Sequence, residues 1–498
     1  MQLNYKNAAE TRLLPSEHLK NLNPPYPILH FGVGGFHRSH QAWALQQLIS
    51  NYPQEFGDWG ITGVGILPGD AAFAKTLRNQ ECLYFVERFT PGGERSTVLI
   101  TAIKEMLHVA EDYDAILARI ASPQTRVISF TITEGGYNVD YSNNTFIWGT
   151  PAVQSDLLKN GVPKTVFRVL AEGLKKRMME NSTPVVLMSC DNVQHNGDIL
   201  RLALLEFLRR FDPSLIAWVE QHVAFVKTMV DRITPATTPK QKDDFSKASG
   251  FNDDCLVVCE DFFQWIVERE PALAGIPLQQ MGATLVEDVA PYEKMKLRLL
   301  NGGHSLTGLL GYAMGYNYIH EAILDETINA FYRRYCSVEV IPTLDELPDV
   351  SYVVYVKQLV SRFSNPMIND NVGRIILGSS DKLPKFVLPV ISDQLKKGTG
   401  AIQFGVLILA GWYYYLETEF RKNEMEHVQD LNKDLLLMLF RDPSWKADMF
   451  FERLPMLHTV KNEPQVKDLF LNYLDDLQRR DMRSLLSGLL QNDEKNEK

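Results

Sequence analysis

The chain has 498 residues, 45% of them apolar, and a formal net charge of −10. The apolar share supports a sizeable core and excludes a disordered chain, and the length suits two or three domains. Charges of both signs are mixed throughout with no basic stripe, so no nucleic-acid partner is expected, and an anionic ligand would have to be held by local geometry.

The opening residues, MQLNYKNAAE, lack the charged-then-apolar pattern of a secretory signal. No apolar run reaches the ~18–20 residues that span a bilayer, so no membrane partner is expected. Cys82, Cys190, Cys255, Cys259 and Cys336 are scattered and odd in number, which suits reduced thiols and a cytoplasmic location. Cys255 and Cys259 lie close together, but no second pair at zinc spacing answers them, so no metal is expected.

Residues 26–31, YPILHF, read as a buried strand. GVGGFHRSH follows, then AWALQQLI with helical spacing. Strand, glycine turn and helix form the setting of a dinucleotide fingerprint. Gly32 would make the tight turn, and Gly34 would let a pyrophosphate approach the backbone at a helix start. Gly32, Val33, Gly34, Gly35 and Phe36 form the candidate cofactor turn, with Phe36 read as a packing residue. The third glycine of GxGxxG is missing, since His37 stands in its place.

A second strand, residues 59–66, runs into LPGD. An acid just past the second strand commonly bonds a ribose 2′-hydroxyl and repels a 2′-phosphate. Asp70 is the acid there, and no Arg or Lys lies between Ile61 and Ala74, so NAD is expected over NADP. A turn aspartate after Pro-Gly is the other reading of Asp70.

YFVERF, STVLITAI and RVISFTIT are each rich in strand formers, and TEGGY places Glu134 at the end of the last. PVVLMS is another strand, with Asn192 just beyond it in CDNVQHNG. Ligands gather at such strand ends in open parallel sheets. Alternating strands and helices over the first 200 residues predict a doubly wound α/β domain. From about residue 198 the pattern turns helical, with a loop at VDRITPATTPKQK and a β-like piece at GATLVEDVAPYE. Helical periods then continue through Gln491, with a loop expected at residues 362–386, and the tail NDEKNEK is expected to fray. The expected domains are residues 1–284 and a mostly α-helical 285–498.

The helical half opens on KMKLRLLNGGHS. On an α-helix at about 100° per residue, Asn301 sits about 140° around from Lys296 and His304 about 80°. One face would carry all three, followed by the apolar run LTGLLGYAMGY. Burial disfavours the charged form of a lysine, and a neutral lysine can take a proton from an alcohol. Gly302 and Gly303 would admit a ligand or a neighbouring backbone. A surface lysine, a capping amide and a core histidine remain the alternative reading.

HFGVGGFHRSH, TEGGY, SCDN, VDRITP and PYEKMKLRLLNGGHS occur in this order. Together they resemble the polyol-specific long-chain dehydrogenase/reductase family, which spans mannitol 2-dehydrogenases, arabinitol 4-dehydrogenases and fructuronate reductases. The resemblance implies a Rossmann-type N-terminal domain, a mostly helical C-terminal domain and metal-free chemistry. It implies Lys296 as general base, Asn192 and Asn301 as donors to the substrate oxygen, and His304 as the residue orienting the substrate. Glu134 is implied as an acid gating proton exchange, Asp231 as a signature acid, and Arg374 and Lys382 as contacts to the substrate's far hydroxyls. On the residues alone, Asn192 also reads as a turn residue, Glu134 as a helix cap and Asp231 as an ion-pair partner of Arg232. DKLPKFVLP looks more like mannitol 2-dehydrogenases than uronate reductases. The expected reaction is therefore oxidation of D-mannitol to D-fructose and its reverse. Fructuronate and arabinitol are the next substrates in line. A catalytically idle NAD-binding regulator would have no need of the Lys-Asn-His set. Monomer and homo-oligomer are both left open by the sequence.

Overall fold

The computed structural model describes residues 1–11, 26–141, 143–159, 161–398 and 400–496. The chain forms two compact units, one of Met1–Thr90 with Glu94–Ala290 and one of Pro91–Gly93 with the residues from Pro291 on. In chain order the strands are β1 (Ile28–Phe31), β2 (Ile61–Gly65), β3 (Tyr84–Phe89), β4 (Arg95–Ile100), β5 (Ile103–His108), β6 (Val127–Phe130) and β7 (Val139–Asp140). They continue as β8 (Thr145–Phe146), β9 (Val185–Ser189), β10 (Val223–Val226), β11 (Thr228–Asp231), β12 (Val257–Glu260), β13 (Gln264–Glu268) and β14 (Thr284–Val286). Because β14 pairs with β13, the segment just past residue 284 stays with the first unit.

Six strands form a fully parallel sheet in the order β5-β2-β1-β6-β9-β10. Counted by appearance within the sheet, this is the 3-2-1-4-5-6 order of doubly wound folds. Helices cover both faces, so β1, β2, β6 and β9 are buried at every position and read as near-continuous apolar runs. Alternate side chains feed two cores. Ile28, Ile61, Val127 and Val186 join one, and Leu29, Val64, Ile128 and Leu187 the other. The strand order reverses between β1 and β6. The crevice beyond their carboxyl ends is where such a sheet receives a ligand.

Two expectations for this unit are corrected. STVLITAI is not one strand: β4 ends at Ile100 against β3, and the chain crosses to enter the large sheet as β5 at Ile103. The stretch between residue 198 and the β-like GATLVEDVAPYE is not mainly helical, since it holds β10 to β13, while β14 falls within that β-like piece. The strands β10 to β13 are four or five residues long, too short for an alternating pattern to declare itself.

The second unit is helical. Its Gly302–Ala313 helix is buried along most of its length and packs against helices Ile319–Leu324, Val372–Ile376, Ser379–Phe386 and Gln403–Arg421. The expected loop at residues 362–386 therefore contains two helices. The Asn371 side chain caps the first by accepting the Arg374 N–H, and Gly378, at φ +66, turns the chain into the second. At the end of the chain, Met482–Asn496 is helical rather than frayed. Residues 497–498 lie outside the described residues. Among the described residues, no helix is long and apolar enough to cross a membrane.

Candidate active site

In the first unit, a cavity of about 620 Å³ opens at the carboxyl ends of β1, β2 and β6. Gly32, Val33 and Gly34 line it after β1, Gly65 to Leu67 and Asp70 around β2, and Thr131 to Thr133 after β6. Gly32 has φ +91, and a Cβ there would stand 2.0 Å from the Thr131 carbonyl oxygen. No other residue fits, for reasons of both backbone conformation and space. Gly34 donates to the Gly32 carbonyl at 2.7 Å and starts the Gly35–Ser39 helix. A Cβ on Gly34 would meet nothing closer than 4.0 Å, so its bare backbone is open to close approach.

Gly35 and Phe36 are not among the cavity's lining residues. Phe36 packs against the core and stacks on His40 with ring centroids 4.9 Å apart. His37, in the third-glycine position, is buried and stacks on His30 at 3.4 Å. Burial pushes the His30 pKa down to about 3 and holds His37 well below the usual imidazole range, so both rings are neutral.

Asp70 lines the cavity, but its Oδ2 accepts the Ile66 and Leu67 N–H groups at 3.0 and 2.9 Å. It caps the Pro68–Asn79 helix, so the turn reading of Asp70 has a structural basis alongside the cofactor reading. Sequence reasoning missed two cations on the cavity wall, Arg38 and Lys164. Arg38 lies four residues past Gly34, and its Nε donates to the Gly34 carbonyl at 3.2 Å. That spacing was a signal available in HFGVGGFHRSH. Lys164 has no comparable local signal; buried Asp156 accepts its backbone N–H.

Within SCDN, Asn192 is exposed and its neighbour Asp191 is buried. Asp191 accepts the N–H groups of Ile132 and Thr133 at 2.9 and 2.8 Å and the Tyr137 hydroxyl at 2.7 Å. Burial raises its pKa to about 6, with Tyr137 and the two N–H groups acting in the other direction. Thr133 sits at φ +60, so this carboxylate holds a left-handed turn in the cavity wall. Glu134, one residue on, is exposed and absent from the cavity lining; its carbonyl accepts the Tyr141 hydroxyl at 2.8 Å. Asp231 ends β11 and is buried. Arg232 donates to the carbonyls of Ser39, Asp261 and Phe262.

In the second unit, Lys296–Asn301 is a π-helical turn, not an α-helical one. The Gly302 N–H reaches back to the Leu297 carbonyl, the i to i+5 pattern of that geometry. The wider turn sets Asn301 about one turn on from Lys296, nearer a shared face than the expected α spacing allows. Lys296 is buried. Arg298 anchors the far side of the turn, donating to Thr343 Oγ1 at 2.6 Å and to Asp393 at 2.7 Å. Gly303 serves packing rather than ligand approach, since a Cβ there would stand 2.2 Å from the Tyr332 ring.

The Asn301 Oδ1 is buried with no hydrogen-bond partner among the described residues. Such an acceptor costs free energy unless something donates to it. His304 stacks on Phe363 at 4.5 Å, and its Nε2 lies 3.2 Å from Asp370 Oδ2. The other Asp370 oxygen accepts Arg374 Nε at 2.8 Å. Lys382 donates from Nζ to the Ile375 carbonyl at 2.8 Å. The unit thus gathers His304, Arg374 and Lys382 around Asp370, an acid that the sequence reading passed over. Among the described residues, no group of three or more His, Cys, Asp or Glu side chains is placed to hold a metal ion.

Residues 26–279 match the mannitol dehydrogenase Rossmann domain, and residues 288–461 match the mannitol dehydrogenase C-terminal domain. The chain is 39% identical over 402 residues to mannitol dehydrogenase 2 of Saccharomyces cerevisiae, covering 79% of each chain. It is 36% identical to mannitol 2-dehydrogenase of Phaeosphaeria nodorum, over 84% of this chain and 73% of that one. Its structure is similar to the ternary complex of Pseudomonas fluorescens mannitol 2-dehydrogenase with NAD and D-mannitol. The TM-score is 0.84 at 32% identity, over 99% of this chain and all of that one.

Proposed function

Because the chain belongs to the mannitol dehydrogenase family, we propose that it works as a mannitol 2-dehydrogenase. It is an NAD-dependent polyol dehydrogenase that oxidises D-mannitol to D-fructose and catalyses the reverse reduction. The first unit's cavity fits the cofactor: Gly34 is bare, and Arg38 and Lys164 bring positive charge to the wall of an otherwise acidic protein. Gly32 to Gly34 would hold the pyrophosphate, and Asp70 would accept a ribose hydroxyl through the oxygen not used for capping. When bound, NAD supplies the acceptor for the hydride that leaves the alcohol carbon.

The chain's own residues handle the proton and the oxygen. Lys296 accepts the hydroxyl proton at Nζ during oxidation and returns it to the ketose oxygen during reduction. Asn301 and Asn192 donate amide N–H groups to the oxygen as negative charge builds on it. Fixed donors of this kind need no reorganisation, and each is typically worth about 3–4 kcal/mol of barrier. The buried Asn301 Oδ1 gains a partner when a substrate hydroxyl donates to it. His304, braced by Phe363 and Asp370, orients the substrate; Arg374 and Lys382 bond its far hydroxyls. Asp231 and Glu134 carry supporting roles, Glu134 in proton exchange with water. The setting is the cytoplasm, which suits five free, buried cysteines.

The observation that carries this reading is the intact Lys296, Asn301 and His304 set on one π-to-α run, in a chain that matches a single family along both of its units. The test follows NAD(P)H absorbance in both directions, with mannitol and arabinitol oxidised by NAD or NADP and with fructose and fructuronate reduced by NADH or NADPH. Mannitol should turn over best with NAD, and fructose best with NADH. Turnover of uronates alone would overturn the substrate reading.

A further inference from the structure

We propose that Asp370 selects neutral sugars over sugar acids by neutralising Arg374 where it meets the substrate. The inference rests on the reading of Arg374 as a substrate-binding residue. Asp370 is buried, whereas the Arg374 side chain is 53% exposed. Asp370 Oδ1 accepts both Nε, at 2.8 Å, and Nη2 of Arg374. A guanidinium carries five N–H groups, so Arg374 keeps donors for hydroxyl oxygens while its charge is balanced. A substrate carboxylate placed on those donors would meet the Asp370 anion close behind them. Like charges at such range disfavour binding.

The rest of the cluster does not restore a free cation. Lys382 turns its Nζ to the Ile375 carbonyl, and burial, together with neighbouring Arg374, disfavours its charge. Asp381 beside it pairs with Lys385 at 2.8 Å. Asp370 also sits 3.2 Å from His304, so it is a positioning residue for both side chains. Its effect on charge selection is separable from its effect on His304. An Asn in its place keeps the size and an acceptor oxygen for Arg374; it removes the negative charge and turns the oxygen facing His304 into an N–H donor, a change that both substrates meet alike.

The experiment compares D-fructose with D-fructuronate, a keto acid of the same chain length, as substrates for reduction by the unmodified enzyme and Asp370→Asn. The ratio of kcat/KM for the acid over the neutral sugar should rise at least about tenfold in the variant. Adding Arg374→Gln should abolish the gain. A purely structural role for Asp370 would lower both substrates together, so an unmoved ratio in a folded variant overturns the proposal. Where Asp370→Asn does not fold, the unmodified enzyme gives an independent reading. D-Gluconamide should compete with mannitol at least about tenfold more tightly than D-gluconate, and equal or tighter competition by gluconate overturns the proposal. If the unmodified protein reduces no ketose, the proposed function fails and this inference falls with it. If it reduces fructose while the ratio stays fixed, only the role of Asp370 fails.

Discussion

The glycine turn after β1 and the π turn at Lys296 both present polar groups, but different parts of the chain hold them in place. The first is a backbone device. Gly32 sits at φ +91, where a Cβ would stand 2.0 Å from the Thr131 carbonyl oxygen, and Gly34 offers uncovered main chain. The second is a side-chain device, in which a buried lysine, an amide and a histidine are braced by Arg298, Tyr332, Phe363 and Asp370, residues distant in sequence. A backbone device tolerates few substitutions because its shape is its function. A side-chain device can lose one chemical group and keep its shape.

That contrast breaks in measurable ways. Lys296→Ala should lower kcat for mannitol oxidation by about 100-fold or more, in the range of general acid–base contributions, with NAD affinity unchanged. A variant that keeps most of its rate would move the base elsewhere, with His304 next to test. Gly32→Ala should do the reverse and damage the fold and NAD binding together. The left-handed φ and the backbone clash should cost about 3 kcal/mol in urea unfolding. An unmoved unfolding midpoint would mean that the turn is more plastic than its geometry indicates.

Asp191 sharpens the comparison, because it is a side chain serving the backbone device. Its pKa in the fold is raised from 3.8 to about 6. The fold therefore favours the protonated form. Its contribution to stability is fully present below about pH 3.8 and is lost as pH rises through about 6. Relative to Asp191→Asn, the unmodified protein should lose about 3 kcal/mol of unfolding free energy across that window. Identical pH profiles for the two proteins would show that Asp191 does not titrate there. The smallest effect belongs to Asp70→Ala. Loss of the helix cap should cost about 1 kcal/mol of stability, and the preference for NAD over NADP should fall roughly tenfold. A stability loss with the preference intact would reduce Asp70 to a cap.

The two devices also differed in how far the sequence exposed them. The strand, glycine turn and helix are contiguous, so Gly32 and Gly34 were legible from spacing alone. Lys296, Asn301 and His304 were legible as a set, but their geometry was not. The π turn depends on hydrogen bonds that α-helical spacing does not anticipate. Asp370 escaped because it lies in what reads as a loop, and only the folded chain brings it to His304. Asp191 escaped for a subtler reason. SCDN drew attention to the amide, while the adjacent acid, turned inward, does the structural work on Thr133. The short strands β10 to β13 escaped because pairing partners, not local pattern, define them.

The pairing of β12 with β3 has a consequence for how the chain is made. β3 takes β4 on one edge as soon as the hairpin emerges, but its other edge waits for Val257–Glu260. At synthesis rates of about 5–20 residues per second, the delay is on the order of ten seconds or more. Throughout it the ribosome-bound chain presents an unpaired strand edge next to the apolar side chains of Phe85 and Phe89, which later pack with Phe245, Phe251 and Val258. Such an edge is a template for pairing with other chains. A nascent chain arrested before Val257 should therefore engage chaperones or aggregate, whereas one arrested past Val286 should have every strand of the first unit available.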